Sequence, residues 1–345
     1  MRGARTIGVP TVADRIAQTV VKMYLEPEVE PMFHEDSYGY RPKRSALQAV
    51  GKCRERCWRN DWVIDLDIQS FFDTLDHELV MRAVRYHTNL PWIHLYVERW
   101  LKAPLQRVGG EQIGREMGSP QGSVIWPLLA NLYLHYAFDA WMAREIRDVG
   151  FEGYCDDVVV HCRSRGQAED ILRRIIKRLA ECRLDVSESK TRLVYCKDKR
   201  RSCSHEQERF DYLGFTFQAR MCKGGKNGGY FVGFNPAVSH AACREIGQEM
   251  REWRLHLRSG ESLSDLAKTV NSTVRGWINY YGRYFPSELH SVLRRLDQYL
   301  VRWAQRKYKR LKRHPKRAWR FLARVIKREP GLFAHWGLNR SHVAG

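Results

Sequence analysis

The chain has 345 residues, 43% of them apolar, and carries 59 Lys+Arg against 39 Asp+Glu for a formal net charge of +20. That length and apolar content allow two or three domains with real cores. No apolar run approaches the ~20 residues that span a bilayer, and the N-terminus opens on no apolar signal segment. These features exclude membrane and secreted classes, so a soluble cytoplasmic protein with no membrane partner is expected. Nine cysteines at scattered spacings also speak against a secreted disulfide framework. The charge calls for a polyanion partner, nucleic acid first. It is uneven: residues 236–345 hold 23 Lys+Arg against 8 Asp+Glu, a net of +15 out of the total +20.

Taken in order, residues 1–9 read as a strand entering a turn with no earlier partner strand. A helix is predicted over 12–25, with Val12, Ile16, Val20 and Met23 near the 3.6 period, ending before Pro27. Ser37–Pro42 reads as a loop and Ser45–Trp58 as a second helix. Trp62–Ile68 (WVIDLDI) is a buried-type strand with acids in it, and a carboxylate near such a strand's C-terminal end is a recognised place for a catalytic group. Met117–Gly122 is a turn and Leu128–Ile146 one long helix. Residues 151–162 form a tight hairpin around Tyr154-Cys155-Asp156-Asp157. Over 168–179 an amphipathic helix puts Ile171, Leu172, Ile175, Ile176 and Leu179 inward.

The strand Arg192–Tyr195 and an exposed connection over 197–209 follow. Phe210–Gln218 and Tyr230–Phe234 alternate like paired strands across the Gly/Lys-rich turn at 223–229. From Pro236 the pattern is helical and basic. Along Leu289–Leu311 a stripe of Val292, Leu296, Tyr299, Leu300 and Trp303 opposes Arg294, Arg295, Arg302, Arg306, Lys309 and Arg310, which make the nucleic-acid-binding face. A boundary is expected near 234–240. Neither Cys53-x3-Cys57 nor Cys196-x6-Cys203-x-His205 has the close paired spacing of a structural zinc site, so zinc is not expected at either.

Asp67 ends one strand, and Asp156 and Asp157 sit on a hairpin far downstream. Two adjacent acids on a turn repel each other unless a cation holds them. Three carboxylates on neighbouring strands can hold two divalent ions ~3.5–4 Å apart and so activate an attacking 3′-hydroxyl and stabilise a leaving pyrophosphate. Mg²⁺, with Mn²⁺ as an alternative, suits such oxygen ligands, to which the Ile68 carbonyl can add one. A two-metal phosphoryl transferase is therefore expected from these residues alone.

The ordered set Asp67-Ile68-x-x-Phe71-Phe72-Asp73, Ser119-Pro120-Gln121-Gly122, Tyr154-Cys155-Asp156-Asp157 and Lys190-Thr191 resembles the successive polymerase motifs of reverse transcriptases. Gly8-Val9-Pro10-Thr11, Tyr38-Gly39-Tyr40-Arg41-Pro42, Pro127-Leu128-Leu129-Ala130-Asn131, Phe210-x-Tyr212-Leu213-Gly214-Phe215 and Gly276-Trp277-Ile278-Asn279-Tyr280-Tyr281 resemble group II intron-encoded reverse transcriptases/maturases in particular. The resemblance implies a mixed α+β right-hand polymerase. Its partial fingers would span 1–60, its palm 61–235 with remaining fingers elements at 78–118, and a basic helical thumb/maturase domain 236–345. It implies Asp67, Asp156 and Asp157 as catalytic, metal-binding acids and Phe72 as a steric gate against a 2′-hydroxyl. Gln121 would contact the incoming dNTP, and Arg5 and Arg41 its triphosphate, where guanidinium groups grip oxygens bidentately. Lys190 would donate a proton to pyrophosphate.

The implied partners are intron RNA, an RNA template/DNA primer duplex and dNTPs; oligomeric state is not legible. Against the family pattern, the fingers segment that would precede Arg5-Thr6-Ile7-Gly8-Val9-Pro10 is missing, and no Cys/His-rich nuclease-like module follows Trp336. The chain therefore resembles a truncated member. The expected function is RNA-directed DNA polymerisation with assistance to intron splicing. The alternative is an RNA-binding maturase that has lost polymerase activity.

Overall fold

In the computed structural model, residues 8–106, 109–119, 122–224 and 229–339 are described. The chain divides into two units, Met1–Glu208 and Arg209–Gly345.

The first unit opens with helix α1 (Val12–Val29), capped by the Thr11 hydroxyl on Asp14 N. Helix α2 (Ala46–Cys57) starts in a capping box between Ser45 and Gln48. A four-stranded antiparallel sheet follows, in the order β4 (Phe151–Tyr154), β5 (Asp157–Cys162), β1 (Trp62–Asp67), β6 (Arg192–Tyr195). Between β1 and β4 lie the single turn α3 (Phe71–Thr74), helices α4 (His77–His87) and α5 (Pro91–Lys102), and a small ribbon of β2 (Leu105–Gln106) and β3 (Gln112–Ile113). Helix α6 (Trp126–Leu134) and helix α7 (Ala140–Glu145) come next, and α8 (Arg165–Glu181) connects β5 to β6.

The alternation of β1 and β5 sends Ile64, Leu66, Val158, Val160 and Cys162 into one core, shared with α6 and α8. Val63, Val159, His161 and Val194 point the other way, and α2 packs against β4 and β5.

Three local expectations change. Helix α1 runs through Pro27, and its core side is Gln18, Val21, Leu25 and Val29, while Val12, Ile16, Val20 and Met23 are exposed. Proline in the last turn removes one backbone donor without ending the helix. The segment expected as one helix over 128–146 is broken by a π turn at His135–Asp139 between α6 and α7. This stretch is buried on nearly every side, so its sequence carries no helical phase to read. In α8, Ile171, Ile175 and Leu179 are buried but Ile176 is exposed.

The second unit begins with three antiparallel strands, β7 (Arg209–Tyr212), β8 (Phe215–Lys223) and β9 (Tyr230–Val238). Phe210–Gln218, expected as one strand, is therefore two, joined at Leu213-Gly214, where both residues take positive φ. Helices α9 (His240–Glu252), α10 (Leu263–Tyr281), α11 (Pro286–Lys307) and α12 (Pro315–Arg328) bury a core of their own, including Leu266, Val274, Leu293, Leu296, Trp303 and Leu322. The expected boundary near 234–240 falls inside this unit, because β9 continues to Val238 and pairs along its length with β8. Among the described residues no helix is long and apolar enough to cross a membrane.

Candidate active site

Antiparallel pairing of β1 with β5 places Asp67 directly opposite Asp157 at one rim of the sheet. Asp156 is the second residue of the two-residue turn between β4 and β5, beside its register neighbour. Directly opposite residues put their side chains on the same face with Cβ atoms about 5 Å apart, so the carboxylates of Asp67 and Asp157 converge. The turn is tight enough to hold Cys155 at φ 59° with its side chain buried. A positive φ on a residue other than glycine persists only where its surroundings over-determine it.

Those surroundings are the Ser37–Arg41 loop. Tyr38 N donates to Gly153 O at 2.8 Å, and Gly153 N donates to Asp36 O at 2.9 Å. Gly39 lies against the Tyr154–Cys155 backbone so closely that a Cβ there would stand 2.6 Å from Cys155 N. Asn131 on α6 clamps the loop from behind, donating to Gly39 O at 2.6 Å. The tight SYGY sequence is thus the support for the acid-bearing turn.

The other side of Asp67 is wrapped by the segment before β6. Ser187 N donates to Asp67 O at 2.9 Å, and Asp67 N donates to Thr191 Oγ1 at 3.2 Å. The same turn delivers Lys190, whose Nζ lies 3.0 and 3.2 Å from the two Asp67 carboxylate oxygens. Lys190 thus pairs with Asp67 in this structure.

Phe72 follows Asp67 on α3, half-buried, with its ring 5.4 Å from Phe71 in an edge-on contact. The Met117–Ser119 backbone is pinned onto that turn: Gly118 N donates to Leu75 O and Ser119 N to Phe72 O, both at 2.7 Å. Gly118, at φ 74°, lies directly over the Asp73 backbone, which leaves no room for a Cβ. The loop leading to Gln121 is therefore anchored beside Phe72. Gln121 itself and Arg5 lie outside the described residues.

Arg41 is not brought to the acids. Its side chain is buried, with Nε and Nη2 donating to Glu30 Oε1 at 3.0 and 2.9 Å, and Nη1 donating to the carbonyls of His34 at 2.6 Å and Ser37 at 2.7 Å. With those bonds made, it shapes the loop beneath the turn. Sequence reasoning could not see this, because Glu30 and Arg41 belong to different elements.

In the second unit, Arg294, Arg295, Arg302, Arg306, Lys309 and Arg310 are all exposed, opposite the buried Val292, Leu296, Leu300 and Trp303. Tyr299 is only partly buried, with the Arg302 guanidinium 5.8 Å from its ring. A second basic face lies outside the expected set: α12 exposes Lys316, Arg317, Arg320, Arg324, Lys327 and Arg328 around a buried strip of Ala318, Leu322 and Val325. Its 3.6-period strip is readable in the sequence. The Gly276–Tyr281 motif packs internally: Trp277 stacks on Trp253 at 5.4 Å, and Tyr280 and Tyr281 sit against Phe215.

Residues 1–217 match the reverse transcriptase (RNA-dependent DNA polymerase) family. The chain belongs to that family. Residues 243–322 match the group II intron maturase-specific domain, so this reverse transcriptase is of the group II intron reverse transcriptase/maturase kind, with the α+β fold of the family. It is similar to protein YkfC of Escherichia coli strain K12, at 38% identity over 41% of this chain and 40% of that protein. It is also similar to the group II intron-encoded protein LtrA of Lactococcus lactis, at 31% over 38% of this chain and 22% of that protein. A COX1/OXI3 intron 1 protein of Saccharomyces cerevisiae matches at 30% over 41% of this chain and 17% of its own length. The matches thus span 40% or less of each relative's length.

Proposed function

We propose that this reverse transcriptase/maturase copies RNA into DNA by two-metal nucleotidyl transfer, and that it binds its intron RNA to assist splicing. The observation that supports the reading is that Asp67 stands opposite Asp157 in the ladder, with Asp156 next to Asp157 in the turn, at one rim of the sheet. Asp67, Asp156, Asp157 and the Ile68 carbonyl are an all-oxygen donor set that fits Mg²⁺, or Mn²⁺, better than a soft metal. When bound, such ions lower the pKa of an attacking hydroxyl and screen developing charge on phosphate oxygens.

The chain's own residues do the rest. Phe72, on the turn just past Asp67, supports a steric wall against a 2′-hydroxyl. Lys190, adjacent to Asp67, is positioned to give a proton to the leaving pyrophosphate once Asp67 is otherwise engaged. Gln121 is assigned to the incoming base and sugar and Arg5 to the triphosphate, on the family resemblance. Arg41 is assigned to holding the loop under the turn. The basic faces of α11 and α12 support a grip on RNA phosphates, since their exposed charges are overwhelmingly of one sign.

Primer extension on an RNA template with Mg²⁺ and dNTPs tests this, wild type beside Asp156→Asn. Extension by the wild type and at least about a thousandfold loss in the variant are expected, the scale of removing a group that acts on the transition state. If the wild type binds intron RNA tightly yet extends nothing, the chain acts as a maturase only.

A further inference from the structure

In the second unit, an open cleft of about 600 Å³ lies between the first turn of α10, the end of α11 and one side of α12. That size is within the range of sites that take small ligands, about 300–1,000 Å³. Its lining mixes aromatic rings, Tyr308 and Phe321, with the cations Lys307, Arg310, Arg324 and Arg328. One carboxylate stands among them, Glu329 Oε1, 2.8 Å from Arg328 Nη2.

A stop and a restart of the chain bring these groups together. Helix α11 ends as Tyr308 turns to extended backbone, at φ −110° and ψ 114°. A single 3₁₀ turn, Lys309–Leu311, then carries Arg310 across to α12. On α12, Phe321, Arg324 and Arg328 follow at spacings of three and four and so share one side of the helix. The Tyr308 and Phe321 rings meet with centroids 5.3 Å apart and planes at 58°. Buried Trp303 backs Tyr308 edge-on at 5.9 Å, and its Nε1 donates to Arg258 O. Lys307 is tied into the wall, Nζ donating to Ser259 O at 3.0 Å and to Glu261 O at 2.7 Å.

Packing explains the inner side of the two rings and not the outer one. Both stay only partly buried, in a cleft whose walls are cationic. Nor do the arginines of the rim serve the fold. Among the described residues, the exposed Arg310 and Arg324 side chains make no ion pair or hydrogen bond. Four positive groups against one negative repel each other, and an entering anion relieves that repulsion. Aromatic rings beside arginines are the chemistry that takes an unstacked RNA base, ring on ring, with its phosphates on guanidinium groups. A base inside a duplex is covered on both faces and does not enter. An acidic peptide satisfies the cations alone and leaves the rings bare.

We propose that this cleft receives one unpaired nucleotide of the RNA, its base against Tyr308 and Phe321 and its phosphates on Arg310, Arg324 and Arg328. This deepens the RNA reading above and rests on it. The basic faces of α11 and α12 hold phosphates of any sequence, whereas the cleft tells a bulge or a loop from a plain duplex.

Binding of the full chain to two short RNA hairpins of equal phosphate count is measured by fluorescence anisotropy, one fully paired and one with a single bulged nucleotide. The bulged hairpin should bind about tenfold tighter, the scale of one base stacked on protein. Phe321→Leu should remove that preference without changing the salt slope, since it takes away a ring and no charge. Arg324→Gln should weaken both hairpins and lower the slope by about one. Melting temperatures check that each variant is folded. Should Phe321→Leu fail to fold, the unaltered chain decides: iodouridine at the bulge, irradiated, should crosslink to Tyr308 or Phe321 in peptide mass mapping. Equal binding of the two hairpins, a preference that survives in folded Phe321→Leu, or a crosslink elsewhere overturns the cleft and leaves the RNA reading standing. A chain that binds neither hairpin overturns both. Polyglutamate that competes as strongly as the bulged hairpin gives the cleft to an acidic protein segment instead.

Discussion

Lys190 and Asp67 show how one contact can serve stability little and chemistry much. The ammonium is largely exposed, so the pair contributes well under about 1 kcal/mol to folding. Lys190→Met should leave the melting temperature nearly unchanged. It should slow single-turnover extension by about a hundredfold, the scale of a lost general acid, and flatten the alkaline limb of the pH–rate profile. At Phe72 the test is sugar choice: Phe72→Ala should raise incorporation of ribonucleotides relative to deoxyribonucleotides by at least about tenfold in competition assays. Unchanged selection would remove Phe72 from the gate.

Asp139 in the π turn is buried, and burial pushes its carboxyl up to about 7, against the smaller opposing effects of Arg41 and a hydrogen bond to Ser37. With the folded value above the unfolded 3.8, the folded state holds the proton more tightly. This contribution to stability is fully present below about pH 3.8 and is lost as pH rises through 7. Asp139→Asn should therefore raise the melting temperature more at pH 8 than at pH 5, and equal shifts at both would contradict the assignment.

At the scale of elements, the acid-bearing turn depends on a buried ionic brace. Arg56 on α2 donates to Phe151 O at 2.7 Å, to Glu152 at 2.5 Å and to Asp36 at 2.6 Å, joining helix, hairpin and the SYGY segment. Removing it leaves the buried Asp36 carboxylate without its cation and Glu152 with His161 alone. Arg56→Leu should cost about 3–5 kcal/mol in urea unfolding, far beyond the loss of an exposed pair. The motif residues of the hairpin and of β1 are legible because β-branched residues around paired acids leave few alternatives. The expectation for Arg41 fails because its family motif is visible in the sequence and its partner Glu30 is not. Helix α1 is misphased by its exposed apolar residues, which mimic a core stripe, while the side that packs includes Gln18, whose side chain accepts from Ser123 Oγ at 2.6 Å.

Across the whole molecule the charge distribution carries the RNA reading. Nucleic-acid affinity that comes from released counterions falls linearly in log–log with salt, by roughly one unit of slope per phosphate contact. Replacing Arg320, Arg324 and Lys316 together by glutamine should weaken intron RNA binding at all sequences and lower that slope by about three, while the same exchange at Arg163, Arg165 and Arg173 of the first unit should change it little. An unaltered slope would move the RNA interface off α12.

The α+β order of elements, the three acids and the basic last third were readable from the chain because each is local: period, turn chemistry and charge are written in neighbouring residues. Which residues meet across the sheet was not, since register, strand order and helix placement bring together side chains far apart in the chain. Asp67 opposite Asp157 is one such meeting, expected from the resemblance and placed by the ladder. The cleft that sets the first turn of α10 against Tyr308, Arg310 and Phe321 is another, and no spacing along the chain announces it.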